Sequence, residues 1–591
     1  MFIRHRKIEN GKTRIQIVEN YRVKDKVQQK VLRHVGTAKN DEELGHIIKL
    51  AEYLKETIEN ELCPKLFSKE ELPEKIVKNR LDQRQSQIPT LVNISNLREE
   101  NRIITGFHEI YGNLFDRIGY GNVLSGKVSA NIFKDIVMAR LAKPVSKRSS
   151  CEMLLRKFGK SHHLEQIYRM MDAIKSEKKK GAKVVSKIDK IPDLQKLTFD
   201  YSQKLLNGKI TLFFYDCTTL YFESFIEDDL RCFGYSKDHK FNQGQVLLAL
   251  MVTQEGLPVG YEVFPGNMYE GNTLLLAINK LKEKYAITEA IIVADSGLLS
   301  QENIEIIKAS GYQYILGARL KSLSQKWQQK ILKNSEYETH TIYYKDDERK
   351  NKEKDILKLK DYDYQNSKDD KINEKVKNLH PERLIISHSS ARAEKDKKDR
   401  EKALEKLLSK LKKSTNPTDL ISNYGYKKFL KIEGDTSVSI NEEKIGQEAL
   451  WDGLHGVFTN TKRSEINAFA VYHQYHGLWQ VEESFRIDKT DLRMRPVFHW
   501  NSNRIHAHIA ICFVAFSLIR FLQHYLKQAT GNNYSARRIS IELDTVQQSL
   551  LYDINNRDNK YVIPSKSSKE VLEIYDTMKL HRNDVPYKLL E

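Results

Sequence analysis

Between residues 209 and 317, short apolar runs and helical stretches follow one another in an order that few folds accommodate. Lys209 to Tyr215 is an apolar, aromatic run of strand length, and Asp216 closes it. Gln245 to Thr253 and Leu257 to Phe264 read as two more strands, joined by a turn at Glu255-Gly256. In Asn272 to Tyr285, the residues Leu274, Leu275, Ile278 and Leu281 recur at helical spacing. A buried strand, Ala290 to Ala294, ends at Asp295; a helix near Gln301 to Ser310 and a strand from Tyr312 to Gly317 complete the series. The order is β-β-β-α-β-α-β, with one aspartate closing the first strand and another the fourth.

That order resembles the ribonuclease H-like arrangement. In such a sheet the first and fourth strands lie side by side and parallel, so Asp216 and Asp295 would project from neighbouring carboxyl ends. Their separation in sequence, 295 − 216 = 79 residues, then stops mattering. The fold class expected is α/β: a ribonuclease H-like mixed sheet core interrupted by a β-rich insertion, with a small N-terminal β-meander and helical flanking regions.

The insertion is expected at 321–450. It holds strand-like pieces at Thr339 to Tyr344, Leu384 to Ser387 and Lys428 to Ile432 and a charged helical pattern from Ala391 to Lys413, too long and too patterned for a loop. Its lysines fit a DNA surface and a merely solvated one equally well. Gly456 to Asn460 then reads as a strand, and Ala468 to Leu492 as one continuous helix. Tyr475, Glu482 and Lys489 are seven apart, so they share one stripe of a straight helix, and Arg486 lies four residues beyond Glu482 on the same side. A surface helix with Glu–Arg and Glu–Lys pairs would look the same in isolation. The apolar continuation through MRPVFHW, together with two strand-terminal aspartates that need a third ligand, favours a functional stripe.

The remaining segments divide as follows. Residues 1–36 form a basic β-meander turning at Asn10-Gly11; 37–192 are helical and the expected DNA-binding region; 193–320 and 451–535 are the two parts of the core; and 536–591 are a C-terminal region suited to oligomerisation. Asp41 to Leu62 has helical periodicity. Within 128–158 two helices break at Lys143-Pro144, the second opening on a capping box from Ser149 to Glu152; a helix-turn-helix competes here with two plainly packed helices. Lys175 to Lys190 reads as a solvated, lysine-rich linker.

Lys and Arg outnumber Asp and Glu by 98 − 79 = 19, spread over the length, which suits a polyanionic partner but also a merely basic protein. Five scattered cysteines without a C-x-x-C pair speak against a disulfide framework and a cysteine zinc site, in keeping with a reducing cytosol. The polar start MFIRHRKIENGK lacks the apolar core of a secretion signal, and Ile509 to Leu522, interrupted by Ser517 and Arg520, reads as a buried helix rather than a membrane span. Phosphate-loop and dinucleotide glycine patterns are absent. His506 and His508, two apart, point to different helix faces and make a poor metal pair; Trp451 and Trp479 suit buried packing better than stacking on a base.

The phrases YDCTTLYFE, KFNQGQVLLALMVTQEGLPVGYEVFPGN and VADSGLLS, with Tyr475, Glu482 and Lys489, resemble a DDE transposase of a bacterial insertion sequence, in the branch with a Y-x2-R-x3-E-x6-K signature. Leu478 departs from it, standing where the family has Arg. The resemblance implies Asp216, Asp295 and Glu482 as catalytic residues and metal ligands. Three hard carboxylates suit Mg2+ or Mn2+, and two ions are expected. Tyr475, Lys489 and, in place of the missing arginine, Arg486 would contact DNA phosphates. The implied partners are double-stranded DNA, as terminal inverted repeats and target, and a second copy of the chain in a synaptic homodimer, acting in the cytoplasm. The competing readings are a DNA-binding repressor or relic that no longer catalyses and a metal-dependent nuclease of the same fold.

Overall fold

A computed structural model of the chain describes residues 2–7, 13–23, 26–38, single helical positions between 44 and 55, and 92–589 apart from 181–182, 209, 224–225, 235–242, 275, 279–284, 286, 288–289, 334–336, 345–352, 365–382, 414–427 and 434–436. Two compact units emerge, Met1–Val92 and Asn93–Glu591. The first holds an antiparallel meander of β1 (Phe2–Lys7), β2 (Thr13–Val23) and β3 (Lys26–Ala38), whose Ile15, Ile17 and Val18 are fully buried. Asn10-Gly11, and most of the Asp41 to Leu62 stretch, lie outside the described residues.

The second unit opens with β4 (Leu97–Ile104) and the helices α1 (Gly106–Ile118), α2 (Lys127–Ala142), α3 (Lys147–Phe158) and α4 (Leu164–Ile174). The break at Lys143-Pro144 is as expected, but α3 starts earlier than the capping-box reading had it. Ser146, not Ser149, is the N-cap, its Oγ accepting from the Ser149 N–H at 3.2 Å. The lysine-rich stretch is not a linker either. It forms a hairpin, β5 (Lys175–Lys180) and β6 (Lys183–Asp189), closed by Lys175 and Asp189 at 3.1 Å, and α5 (Ile191–Leu205) follows.

A nine-stranded sheet carries the core. β7 (Leu212–Tyr221), β8 (Gln245–Thr253) and β9 (Pro258–Pro265) run as an antiparallel meander. On the other side of β7 lies β10 (Ile291–Ala294), parallel to it, and α6 (Gln301–Ala309) leads to β11 (Gln313–Ala318), parallel to β10. The sequence order β9-β8-β7-β10-β11 across the sheet is the ribonuclease H-like order expected. After α7 (Gln325–Leu332), β12 (Glu338–Tyr344), β13 (Glu353–Asp363) and β14 (Arg383–Ser389) join the same sheet. The inserted segment thus adds three strands to the core sheet, besides a separate two-stranded hairpin. It continues through α8 (Ser390–Lys413), the hairpin β15 (Leu430–Glu433) and β16 (Ser437–Ile440), and α9 (Glu442–Ala449). β17 (Leu454–Thr459) then pairs antiparallel with both β11 and β14, tying the added strands to the core.

The stretch read as one helix is broken. α10 (Ala468–His476) and α11 (Trp479–Arg486) meet at Gly477-Leu478, and a π-helical turn, Ile487–Asp491, ends the run. α12 (Ser502–Thr530) passes through the core, and α13 (Ala536–Thr545), β18 (Gln547–Asp553), β19 (Asn556–Pro564), α14 (Lys569–Thr577) and β20 (Tyr587–Lys588) complete the chain; β18 pairs with β4. α12 is long and apolar enough to cross a membrane, but 94% of its most apolar window is buried inside the protein, so it is a core helix.

Strand side chains alternate between the two faces of the sheet. Leu212, Phe214 and Leu220 of β7 and Val293 of β10 pack with α11 and α12, whereas Phe213, Tyr215, Cys217, Ile292 and Ala294 pack on the opposite face with Ile304 and Ile307 of α6.

Candidate active site

Asp216 does not close its strand as expected, because Cys217 to Tyr221 keep pairing with β8; it lies mid-strand, in phase with Phe214 and Leu220, while Asp295, just past the end of β10, is in phase with Val293, so both aspartates belong to the face covered by α11. The parallel register pairs Ile291 with Leu212, Ile292 with Phe213 and Val293 with Phe214. Two residues further along this register, Asp295 falls beside Asp216, on strands roughly 4.8 Å apart. Each aspartate binds a local backbone N–H: Asp216 Oδ1 accepts from Cys217 at 2.7 Å, and Asp295 Oδ1 from Gly297 at 2.8 Å, as the cap of a short 3-10 turn.

The helix that carries the third acid packs on the same face of the sheet. α11 packs on β7 and β8, and α10 crosses β10, β11, β13 and β14. Gly477, between them, lies so close to Phe214 that any Cβ there would collide with the ring. At this crossing the backbone tightens: Leu478, Gln480 and Val481 each donate to the carbonyl three residues back, at 2.9 to 3.1 Å. Glu482 follows, exposed on α11. Arg520 of α12 holds the helix from beneath, donating to Gln480 Oε1 and to the Gly256 carbonyl, both at 2.7 Å.

Tyr475 links the pieces. Its ring stacks beside His455 of β17 with centroids 4.9 Å apart, and its hydroxyl occupies the space left by the missing side chain of Gly317 on β11, next to Ser296. Burial pushes this hydroxyl well above the ordinary tyrosine value, and the charges of Asp295 and Glu482 push it further in the same direction. Both carboxylates therefore act on one phenol, which stays protonated.

Lys489 and Arg486 stand differently. The π-helical turn spoils the sevenfold stripe at Lys489, whose Nζ lies 5.9 Å from the Phe485 ring centroid. Arg486 is bound to Glu483 by two bonds of 2.6 Å and lies 3.2 Å from Asp491. Trp479, read as core, is 56% exposed instead, one turn before Glu482. His508 is buried against the Met494 carbonyl at 3.2 Å, and His506 lines a separate hollow with Lys175 and Gln195. Two residues escaped the sequence reading. Gly317 makes room for Tyr475, and exposed Arg319, just past β11, donates to the Ser296 carbonyl at 2.8 Å, one residue from Asp295. A cation closing the fifth strand was the available signal.

Among the described residues, no three acidic, histidine or cysteine side chains stand close enough together to hold a metal ion. The donor chemistry nevertheless suits a hard divalent ion: the three side chains offer carboxylate oxygens, and the neighbouring thiol, Cys217, faces the other side of the sheet.

Residues 207–518, more than half of the chain, match the family described as the transposase DDE domain, and residues 3–65 match the IS1634 family transposase N-terminal domain. The chain belongs to the DDE transposases. It is an enzyme of DNA transposition that cleaves and transfers DNA strands, and DDE transposases work with divalent metal ions. No curated protein matches the chain. Among solved structures it is similar to the piggyBac transposase synaptic complex with hairpin DNA, at 10% identity over 74% of this chain and 76% of that one with a TM-score of 0.32. It is also similar to the Mos1 transposase paired-end complex with left transposon end, at 11% identity over 47% of this chain and 78% of that one with a TM-score of 0.14. The Mos1 mariner paired-end complex with Mn gives the same figures. At such scores the likeness carries nothing further, and this transposase's fold rests on its own strand order.

Proposed function

We propose that this transposase excises and inserts an insertion sequence by cut-and-paste, with Asp216, Asp295 and Glu482 holding two Mg2+ or Mn2+ ions. The observation that carries the reading is the β7–β10 register, which sets Asp216 beside Asp295 on the face that Glu482's helix covers. When bound, such ions activate the attacking oxygen and stabilise the leaving one. In cleavage, water forms one P–O bond as another breaks and frees a 3′-hydroxyl; in joining, that hydroxyl attacks a target phosphodiester, again one bond for one.

The protein's own groups orient the DNA. Tyr475, kept protonated by burial and two carboxylates, donates a hydrogen bond to a phosphate oxygen and is unsuited to act as a covalent nucleophile. Lys489 supplies a charge to a neighbouring phosphate. Arg486 takes part by exchanging its bond to Glu483 for one to phosphate, and so stands in for the arginine that Leu478 replaces. The DNA is the element's terminal repeats and its target, held by two copies of the chain in the cytoplasm.

The test incubates the protein with its element's ends and Mg2+ and follows nicking and joining. Asp216→Ala, Asp295→Ala and Glu482→Ala should each lower both reactions by roughly 10^3-fold or more while end binding survives. A wild type that binds and never cuts would leave the repressor reading standing; cutting without joining would leave the nuclease.

A further inference from the structure

Past the site, the segment that follows the π-helical turn runs alongside the far end of β7. Val497 donates its N–H to the Tyr221 carbonyl at 3.3 Å and bridges in parallel to Phe222. Side chains on an extended segment alternate in direction, and here the alternation is sharp. Val497 is buried, and His499 turns inward between Tyr168 and His508, with ring centroids at 6.3 and 5.4 Å. Phe498 and Trp500 face outward, 61% and 59% exposed. Two large rings on one face of a segment anchored on both sides form a preorganised platform rather than a stray apolar contact. Arg231 fixes the Trp500 ring from beneath: its guanidinium lies 5.5 Å from Trp500 and 5.7 Å from Phe222, and is tied to Asp228 at 2.7 Å.

The charges around it are mixed: exposed Glu223, Glu227, Asp228 and Asp229 lie on the segment that carries Arg231, whereas the platform's own segment bears only cations. Arg495, with its guanidinium 5.4 Å from the Tyr221 ring, and exposed Arg493 precede the platform on the same segment. Exposed aromatic rings beside arginines are the chemistry that holds unpaired nucleotides, the rings by stacking and the cations along the backbone. The chain as a whole carries a formal charge of +19, which favours a polyanion over a second copy of itself at this face. Tyr221 is five residues beyond Asp216, roughly 16 Å along the strand, which spans about four or five stacked nucleotides.

We infer that Phe498 and Trp500 stack on unpaired nucleobases of the DNA end, a few nucleotides from the phosphate held at Asp216, Asp295 and Glu482. The inference rests on the reading of this site as the place of DNA cleavage. It gives the transposase a means of keeping the end melted while the strand is cut.

2-Aminopurine, placed at successive positions beside the scissile phosphate, reports stacking with or without cleavage. The wild type should change its fluorescence at one or two adjacent positions; Phe498→Ala with Trp500→Ala should abolish that change and slow cleavage of fully paired ends on the order of ten- to a hundredfold. Trp500→Tyr should restore most of both, and mismatches at the reporting positions should rescue the double variant. Unchanged fluorescence and cleavage in the double variant would overturn the inference. So would a double variant that loses self-association but keeps the wild-type fluorescence, since the face would then join two copies of the chain. A wild type that shows the fluorescence change without cutting would uphold the platform while overturning the cleavage reading.

Discussion

The strand side and the helix side of the proposed active site are built by different means. Asp216 and Asp295 are set by backbone register, with β10 pairing to β7 along a continuous apolar stretch. Glu482 has no such rail. Its helix is located by a glycine pressed on Phe214, by Arg520 reaching Gln480, and by Arg140 and His508 binding the Leu492 and Met494 carbonyls at 3.3 and 3.2 Å. The placement of the two aspartates should therefore tolerate packing changes better than that of Glu482.

The sharpest way to break this comparison is Gly477→Val. The new side chain must displace Phe214 or lift α11, so it should cost about 1–3 kcal/mol in stability and lower cleavage further than the stability loss explains. A strand-side change of similar bulk on the opposite face, Ala294→Val, should cost stability in the same range and leave more activity. Equal activity losses in denaturation-matched assays would erase the distinction.

A smaller effect comes from the buried cluster beneath the helix side. Burial, reinforced by Arg140, lowers Lys147 to about 7, and the same cluster contains His499, His508, Cys512 and Asp488. Between that value and the ordinary 10.5, the unfolded chain binds more protons at this lysine than the folded one. Its contribution to stability is therefore unfavourable at and below neutrality and is relieved as pH rises through that window. Lys147→Met should raise the melting temperature near neutrality, and its advantage should shrink as the pH approaches 10.5. A gain independent of pH would show that the lysine is not charged and buried as described.

Arg486→Gln should have the smallest effect on folding, within about 1 kcal/mol, because an exposed guanidinium loses little when its ion pair is removed. Its effect should appear in the affinity for DNA ends and in a shallower salt dependence of binding. An unchanged salt slope would confine Arg486 to its pairs with Glu483 and Asp491.

The same contrast explains what could be read from the residues. The strand order was legible because buried strands announce themselves as apolar runs, but the run before Asp216 understated its strand: Cys217 to Tyr221 continue it with polar Thr218 and Thr219 among them, so Asp216 lies mid-strand. The helix side was legible only in outline: the sevenfold spacing marked a helical stretch through Tyr475 and Glu482, but a glycine-centred tightening and a π-helical turn leave no clear periodic signal, so one helix was expected where there are two and a turn. The Lys175–Asp189 hairpin was missed because a two-stranded, solvent-facing ribbon need not alternate apolar and polar residues. That β14 would pair with β17 and extend the core sheet is a contact between segments some seventy residues apart, which local patterning does not encode.

We propose that register and packing direct three carboxylates, Asp216, Asp295 and Glu482, to one metal site. Fe2+ in place of Mg2+, with ascorbate and peroxide, generates hydroxyl radicals that cut the nearby backbone, and mapping the cuts locates the ion. The account predicts cuts around Asp216, Asp295 and Glu482 together, all lost when any one of the three is changed to alanine. Cuts confined to other segments, or cuts at the two aspartates that persist unchanged in Glu482→Ala, would contradict it.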